Sequence, residues 1–141
     1  MRPGLTLYVV RHGETDWNAE LRYQGQTDIP LNAIGRRQSA RNGDALRALM
    51  PGLGQADFVA SPLGRARETM RIVRDRLGLD PDGYRVDNRL MELSYGSWEG
   101  QLQSDLPRID PSGLASRAEN PFRWRPVGGE RYADLLARTV D

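Results

Sequence analysis

The sequence predicts an α/β domain built on a parallel sheet, and three observations lead there. Apolar runs without polar alternation lie at residues 5–10 and 57–60, the pattern of strands covered on both faces. Each is followed, after a loop or at once, by a segment whose apolar residues recur at helical spacing. The order strand, helix, strand, helix within 141 residues fits a single domain, 1–141, with helical crossovers.

The first element is Leu5-Thr6-Leu7-Tyr8-Val9-Val10, bounded by Pro3-Gly4 and Gly13, which reads as a short buried strand. Residues 11–31 have no helical period and hold Gly13, Gly25, Asp28 and Pro30, so a long loop is expected there, a usual place for function. Asn32 has the look of an N-cap, and Ala33, Ile34, Ala40, Ala45, Leu46 and Leu49 form an imperfect apolar face to about Met50. Pro51-Gly52 and Gly54 should end that helix. Asp57–Ala60 is the second strand, with Ser61 as N-cap and Pro62 as first residue of a helix over about 62–77. Ala66, Met70, Val73 and Leu77 supply its stripe. Asp80-Pro81-Asp82-Gly83 is a turn, and Tyr84–Asp87 a third short strand. Residues 101–127 hold four of the nine prolines and are expected to be irregular or short-helical. A last helix starts near Arg131.

Composition narrows the chemistry. There is no Cys, a single His, and all 20 basic residues are Arg. That removes thiol nucleophiles, disulfides, thiolate zinc sites, lysine Schiff bases and the P-loop lysine, and a His-rich metal cluster is out of reach; no metal and no cofactor are expected. A net charge of +1 makes no electrostatic case for nucleic acid or membrane. The leading apolar run is too short for a signal-peptide core or a bilayer span, so a cytoplasmic location is expected.

Ligands of parallel sheets bind beyond the carboxyl ends of the strands. The exits here are Arg11-His12-Gly13 and Ser61-Pro62-Leu63-Gly64-Arg65. Neutral imidazole is a competent nucleophile toward phosphorus, a neighbouring guanidinium disfavours its protonation, and a guanidinium fork grips phosphoryl oxygens. Gly13 lets backbone approach a ligand.

Leu7–Asn18, containing Arg11-His12-Gly13-Glu14-Thr15, closely resembles the signature of the histidine phosphatase superfamily, which includes cofactor-dependent phosphoglycerate mutases. The likeness continues in Gly25–Asn32, in Gly35 and Gln38, in Ser61–Thr69, in Arg89–Gly100 and, more weakly, in Gly128-Gly129-Glu130. It implies a three-layer α/β/α fold with a mostly parallel central sheet. It implies His12 as the nucleophile that becomes a phosphohistidine, Arg11 and Arg65 as the phosphate clamp, and Asn18 as a further hydrogen-bond donor. Glu92 takes the place of the general acid and base, with Glu99 as its rival. Gly13, Gln24 and Gly25 fall where relatives bind the phosphate and the rest of the substrate. Arg67 reads as a surface or supporting residue, Glu14 as a capping or supporting carboxylate, and Trp17 and Trp98 as core or pocket wall.

Two departures stand out. Relatives carry a second histidine after a late strand, whereas His12 is the only one here. The chain is therefore expected to be a truncated form lacking the C-terminal strand, with an exposed sheet edge that would favour a homo-oligomer. Relatives also commonly have Ser after Gly-Gly-Glu, where Arg131 stands, and Arg cannot accept the capping hydrogen bond. The block after Glu92, Leu-Ser-Tyr-Gly-Ser-Trp-Glu-Gly, resembles the phosphatase branch more than the mutases. The expected activity is hydrolysis of a small phosphorylated metabolite, possible loss of activity included. The alternatives are a phosphoglycerate mutase and a non-catalytic phosphate-binding remnant. Arg108, Arg117, Arg123 and Arg125 are either specificity elements or a solvated insert.

Overall fold

The computed structural model describes residues 6–49, 52 and 55–140. Helices α1 (Asp16–Ala19) and α2 (Ala33–Leu49) precede strand β1 (Val59–Ala60), helix α3 (Gly64–Arg76) and strand β2 (Arg85–Val86). Three 3₁₀ turns follow, at Asn88–Leu90, Gly96–Trp98 and Gln103–Asp105. They lead to α4 (Leu106–Ile109), α5 (Pro111–Glu119) and α6 (Tyr132–Val140). β1 and β2 pair in parallel, with Val59 opposite Arg85 and Ala60 opposite Val86, and α3 is the crossover between them. This is the expected α/β arrangement, with short helices filling 103–119 as the prolines suggested.

Residues 6–10 depart from expectation. They join no strand, and Leu7 and Val9 are 71% and 84% exposed. Leu5 lies outside the described residues, as do Met50, Pro51 and Gly54 of the expected helix stop. β-branched composition favours a strand only where neighbours supply ladder bonds and cover. Among the described residues the sheet has two strands, and neither borders this segment.

α2 begins where the sequence places it, with Asn32 Oδ1 accepting from Gly35 N at 2.8 Å. Its buried face, however, is Gly35, Ser39 and Gly43, not the apolar stripe. These three recur every four residues: Gly43 lets α3 come to backbone distance, and Gly35 lets the Glu14 backbone do the same. A Cβ on Gly43 would lie 2.6 Å from Arg76 Cβ and 3.0 Å from Val73 O. The displaced apolar residues Ala45, Leu46 and Leu49 instead line an open groove with Val9, Val10 and Arg11.

α3 starts two residues later than expected, and Ser61 does not cap it. The cap comes from a distant loop: Asp28 Oδ2 accepts from Gly64 N at 2.7 Å and Oδ1 from Arg65 N at 3.5 Å. A carboxylate there satisfies first-turn N–H groups and complements the helix dipole. Val73 of the predicted stripe is buried, while Ala66, Met70 and Leu77 are half-buried.

The second packing centre is aromatic. Trp98, Leu106 and Trp124 are buried together, with Tyr23, Tyr95 and Leu114 against them. Trp98 Nε1 donates to Asp110 Oδ2 at 2.9 Å, and the same carboxylate caps α5 through Gly113 N at 2.8 Å. Trp98 of this cluster is the last residue of the 3₁₀ turn that precedes Glu99. At α6 the missing serine cap has a replacement from inside the helix: Asp134 Oδ2 accepts from Arg131 N at 2.9 Å and pairs with its guanidinium.

Candidate active site

The site gathers where the 11–28 loop crosses the start of α3. Gly13 N donates to Thr69 Oγ1 at 3.0 Å, and Thr69 Oγ1 donates to Arg65 O at 2.9 Å. Thr69 thereby pins the residue after His12 to α3. On its other side Gly13 meets α2, so closely that a Cβ on it would lie 2.6 Å from the carbonyl carbon of Gly35.

His12 is partly buried. Its Nδ1–H donates to Gly13 O at 2.8 Å, which leaves the Nε2 lone pair free. Burial lowers its pKa below the usual imidazole value, the Gly13 bond opposes this, and the charges of Arg65 and Arg11 lower it further against a raising contribution from Glu92. The charges of Arg65, Arg11 and Glu92 thus all act on the His12 imidazole, and the net effect of its surroundings is to disfavour protonation.

Arg65 is 1% exposed, unusual for a guanidinium, and is engaged on every side. Nη1 donates to Thr27 O at 2.9 Å and Nη2 to Gly25 O at 2.6 Å. With the Gln24 amide oxygen turned toward it, Nε donates to Gln24 Oε1 at 2.7 Å and Nη1 does so at 3.2 Å. Up to four of its five N–H groups are used this way, and one remains on Nη2. Burial lowers the pKa of Arg65, while Asp28, Glu92 and Glu99 pull it back up. Arg11 is exposed.

Asn18 closes a capping box on α1: its Oδ1 accepts from Thr15 N at 3.1 Å while Thr15 Oγ1 accepts from Asn18 N at 3.2 Å. Glu14 supports Asn32, whose Nδ2 donates to Glu14 Oε1 at 2.9 Å. Glu92 is exposed, with Oε1 accepting from Leu93 N at 2.8 Å. Its backbone is clamped: Gln26 Nε2 and Arg138 Nη2 donate to Glu92 O at 2.9 and 3.2 Å. Glu130 Oε2 accepts from Ser94 N at 2.9 Å and pairs with Arg138. Trp98 is core, and Trp17 covers Gly100, as their apolar bulk suggested.

The supporting roles of Thr69, Asp28 and Arg138 are absent from a reading by motif alone. Thr69 had a signal, since it lies midway between Arg65 and Val73 on the buried face of α3. Asp28 and Arg138 act across long sequence separations and had none. Among the described residues no group of three His, Cys, Asp or Glu converges as metal ligands would. No helix among them is long and apolar enough to cross a membrane.

The model of the histidine phosphatase superfamily (branch 1) matches residues 7–141. The chain belongs to that superfamily. A probable phosphoglycerate mutase, GpmB, of Salmonella paratyphi A is 36% identical over 134 residues, covering 95% of this chain and 59% of the relative. A mycobacterial glucosyl-3-phosphoglycerate phosphatase solved with VO3 superposes with a TM-score of 0.77 at 34% identity, over 91% of this chain and 60% of that one. YhfR of Bacillus stearothermophilus gives 0.75 at 35% identity, over 92% and 61%. The superfamily chain described here thus spans about three-fifths of the curated relatives it matches.

Proposed function

We propose that this histidine phosphatase chain hydrolyses a small phosphomonoester, in the cytoplasm, through a phosphohistidine on His12. The observation that carries the proposal is the Nδ1–H bond to Gly13 O, which presents an unprotonated Nε2 beside two arginines. Nε2 attacks phosphorus as the ester oxygen departs, and Glu92 gives that oxygen its proton. Glu92 then takes a proton from the water that attacks the phosphohistidine, releasing phosphate and restoring His12. Arg11 is the open fork for phosphoryl oxygens, whereas Arg65 supplies a fixed buried charge and its one remaining Nη2 N–H. Gly13 allows close approach, Asn18 offers its amide nitrogen, and Gln24 and Gly25 hold Arg65 from the substrate side.

A second reading, phosphoglycerate mutase, is favoured by the name of the Salmonella relatives. Single-turnover labelling with a radiolabelled phosphomonoester, followed by product analysis on 3-phosphoglycerate, separates the readings. Label on the native protein but not on His12→Ala, with free phosphate released, is the expected result. Isomer formation that depends on a bisphosphate primer would establish the mutase instead. Phosphate binding without any label would establish phosphate binding without catalysis instead.

A further inference from the structure

Glu99 enters as the rival of Glu92 for the proton-donor role, and its surroundings give it another. Oε1 accepts from Gln26 N at 3.1 Å, from Tyr95 N at 3.0 Å and from Ser94 Oγ at 3.4 Å. Oε2 accepts from Thr27 N at 2.9 Å and Thr27 Oγ1 at 2.5 Å. Five donors from two loops fill the roughly four lone-pair directions of a carboxylate, so none is left to exchange a proton with a substrate. Burial raises the pKa of Glu99, but the bonds from Thr27, Gln26 and Tyr95 outweigh it and hold the carboxylate ionised.

The loop that Glu99 grips is the one that grips Arg65. Gln26 N donates to Glu99 while Gly25 O, in the same peptide group, accepts from Arg65 Nη2. One peptide unit therefore bridges a half-buried carboxylate and a buried guanidinium, and each charge polarises it toward the other. Thr27 repeats the link, with its N–H and hydroxyl on Glu99 and its carbonyl on Arg65. Gly25 makes the approach possible. It sits at φ +54°, and a Cβ there would run into the Glu99 carboxylate. The glycine is thus explained by Glu99 and not only by room for a ligand.

We infer that Glu99 is a positioning residue that sets the place and charge environment of Arg65 through the Gly25–Gln26 peptide and Thr27. The inference rests on Arg65 acting in the phosphate site, but its structural half can be read separately. Glu99→Gln replaces an acceptor by an NH₂ group that faces donors, so the peptide bridge opens. Two measurements test it on the full chain. In the first, side-chain NMR follows hydrogen exchange of Arg65 Nε–H. The expected result is protection in the native protein and in Leu106→Val, a control placed in the aromatic core, with protection lost in Glu99→Gln. In the second, titration with inorganic phosphate is expected to give at least tenfold weaker binding by folded Glu99→Gln, in line with the cost of misplacing a site group by about 1 Å. Leu106→Val should bind as the native protein does. Thr27→Val, which removes one of the five donors, shifts both readouts the same way by less and serves should Glu99→Gln not fold. Native-like Arg65 exchange in both Glu99→Gln and Thr27→Val would overturn the inference, and so would unchanged phosphate affinity in both. Phosphate binding that Arg11→Ala and Arg65→Ala both leave intact would instead overturn the phosphate-site reading, with the exchange result still deciding the role of Glu99.

Discussion

Replacing Thr69 by valine removes the hydroxyl that ties the His12 loop to α3 and also accepts from Ser39 Oγ at 3.3 Å, a donor that keeps Gly35 O as its partner. The side chains are nearly the same size, so the substitution opens no cavity, and Thr69 is only 4% exposed, so water cannot step in. Arg65 O loses the hydroxyl but keeps a helical N–H as partner. Gly13 N, buried and bonded to Thr69 Oγ1 at 3.0 Å, is left without an acceptor. An orphaned buried donor costs about 1–3 kcal/mol, and the gain from burying a methyl in place of a hydroxyl offsets part of that. The expected net loss is about 1.5 kcal/mol, a fall in Tm on the order of 5 °C for a domain of this size. Urea unfolding of the native protein, Thr69→Val and Thr69→Ser reads it directly. Serine keeps the acceptor and should recover most of the loss, apart from its missing methyl. Equal stability of the valine variant and the native protein would refute the reasoning. Because Gly13 follows His12, the valine variant should also label more slowly at His12 than its stability alone explains.

Gly35→Ala should destabilise although it improves helix propensity by about 1 kcal/mol. The new Cβ would lie 2.6 Å from Glu14 N, a backbone atom that cannot yield, and overpacking of that kind costs about 3 kcal/mol or more; a thermal melt at or above the native Tm would contradict this. Labelling of His12 should keep its rate to below the ordinary imidazole pKa of about 6.5, because the lowered pKa leaves the nucleophile neutral there. Glu92→Gln removes a charge that raises that pKa and should move the acid limb further down. The same shift has a stability consequence: the unfolded chain takes up the proton more readily, so the contribution of His12 is intact above the unfolded imidazole range and is lost as pH falls through the folded value. A labelling profile whose acid limb lies above the free imidazole value would show that the arginines and burial do not govern His12.

What the sequence discloses depends on how local the cause is. Helix α2 begins after Asn32 because its cap is local, β1 and α3 follow from a short apolar run and a four-residue period, and β2 follows the turn at Asp80–Gly83. His12, Arg11, Arg65 and Glu92 are found as candidates because each sits in a contiguous motif. The misses have non-local causes. The cap of α3 comes from Asp28, 36 residues before Gly64, so Ser61 and Pro62 looked sufficient and were not. The buried face of α2 is set by how close α3 and the Glu14 backbone come, which selects Gly35, Ser39 and Gly43 over larger apolar residues. Residues 6–10 have strand composition, yet no neighbour among the described residues gives them a ladder.

The same distinction separates two kinds of charge in the site. Arg11 is exposed, which in the proposed reaction would let it follow a phosphoryl group, while Arg65 is 1% exposed and fixed by Gln24, Gly25 and Thr27. A charge already oriented requires no reorganisation as negative charge develops on the phosphoryl oxygens, which is where electrostatic catalysis gains most. A buried guanidinium is tolerable only with counter-charge and partners for its donors; Asp28, Glu92 and Glu99 supply the charge, and three carbonyl oxygens take four of the five N–H groups. Gln24, Gly25 and Thr27 therefore act first as the socket of Arg65. It follows that Gln24→Ala should resemble a weakened Arg65 more than a lost substrate contact: phosphate affinity should fall in step with Arg65 Nε–H protection, and equally for inorganic phosphate and for any ester offered.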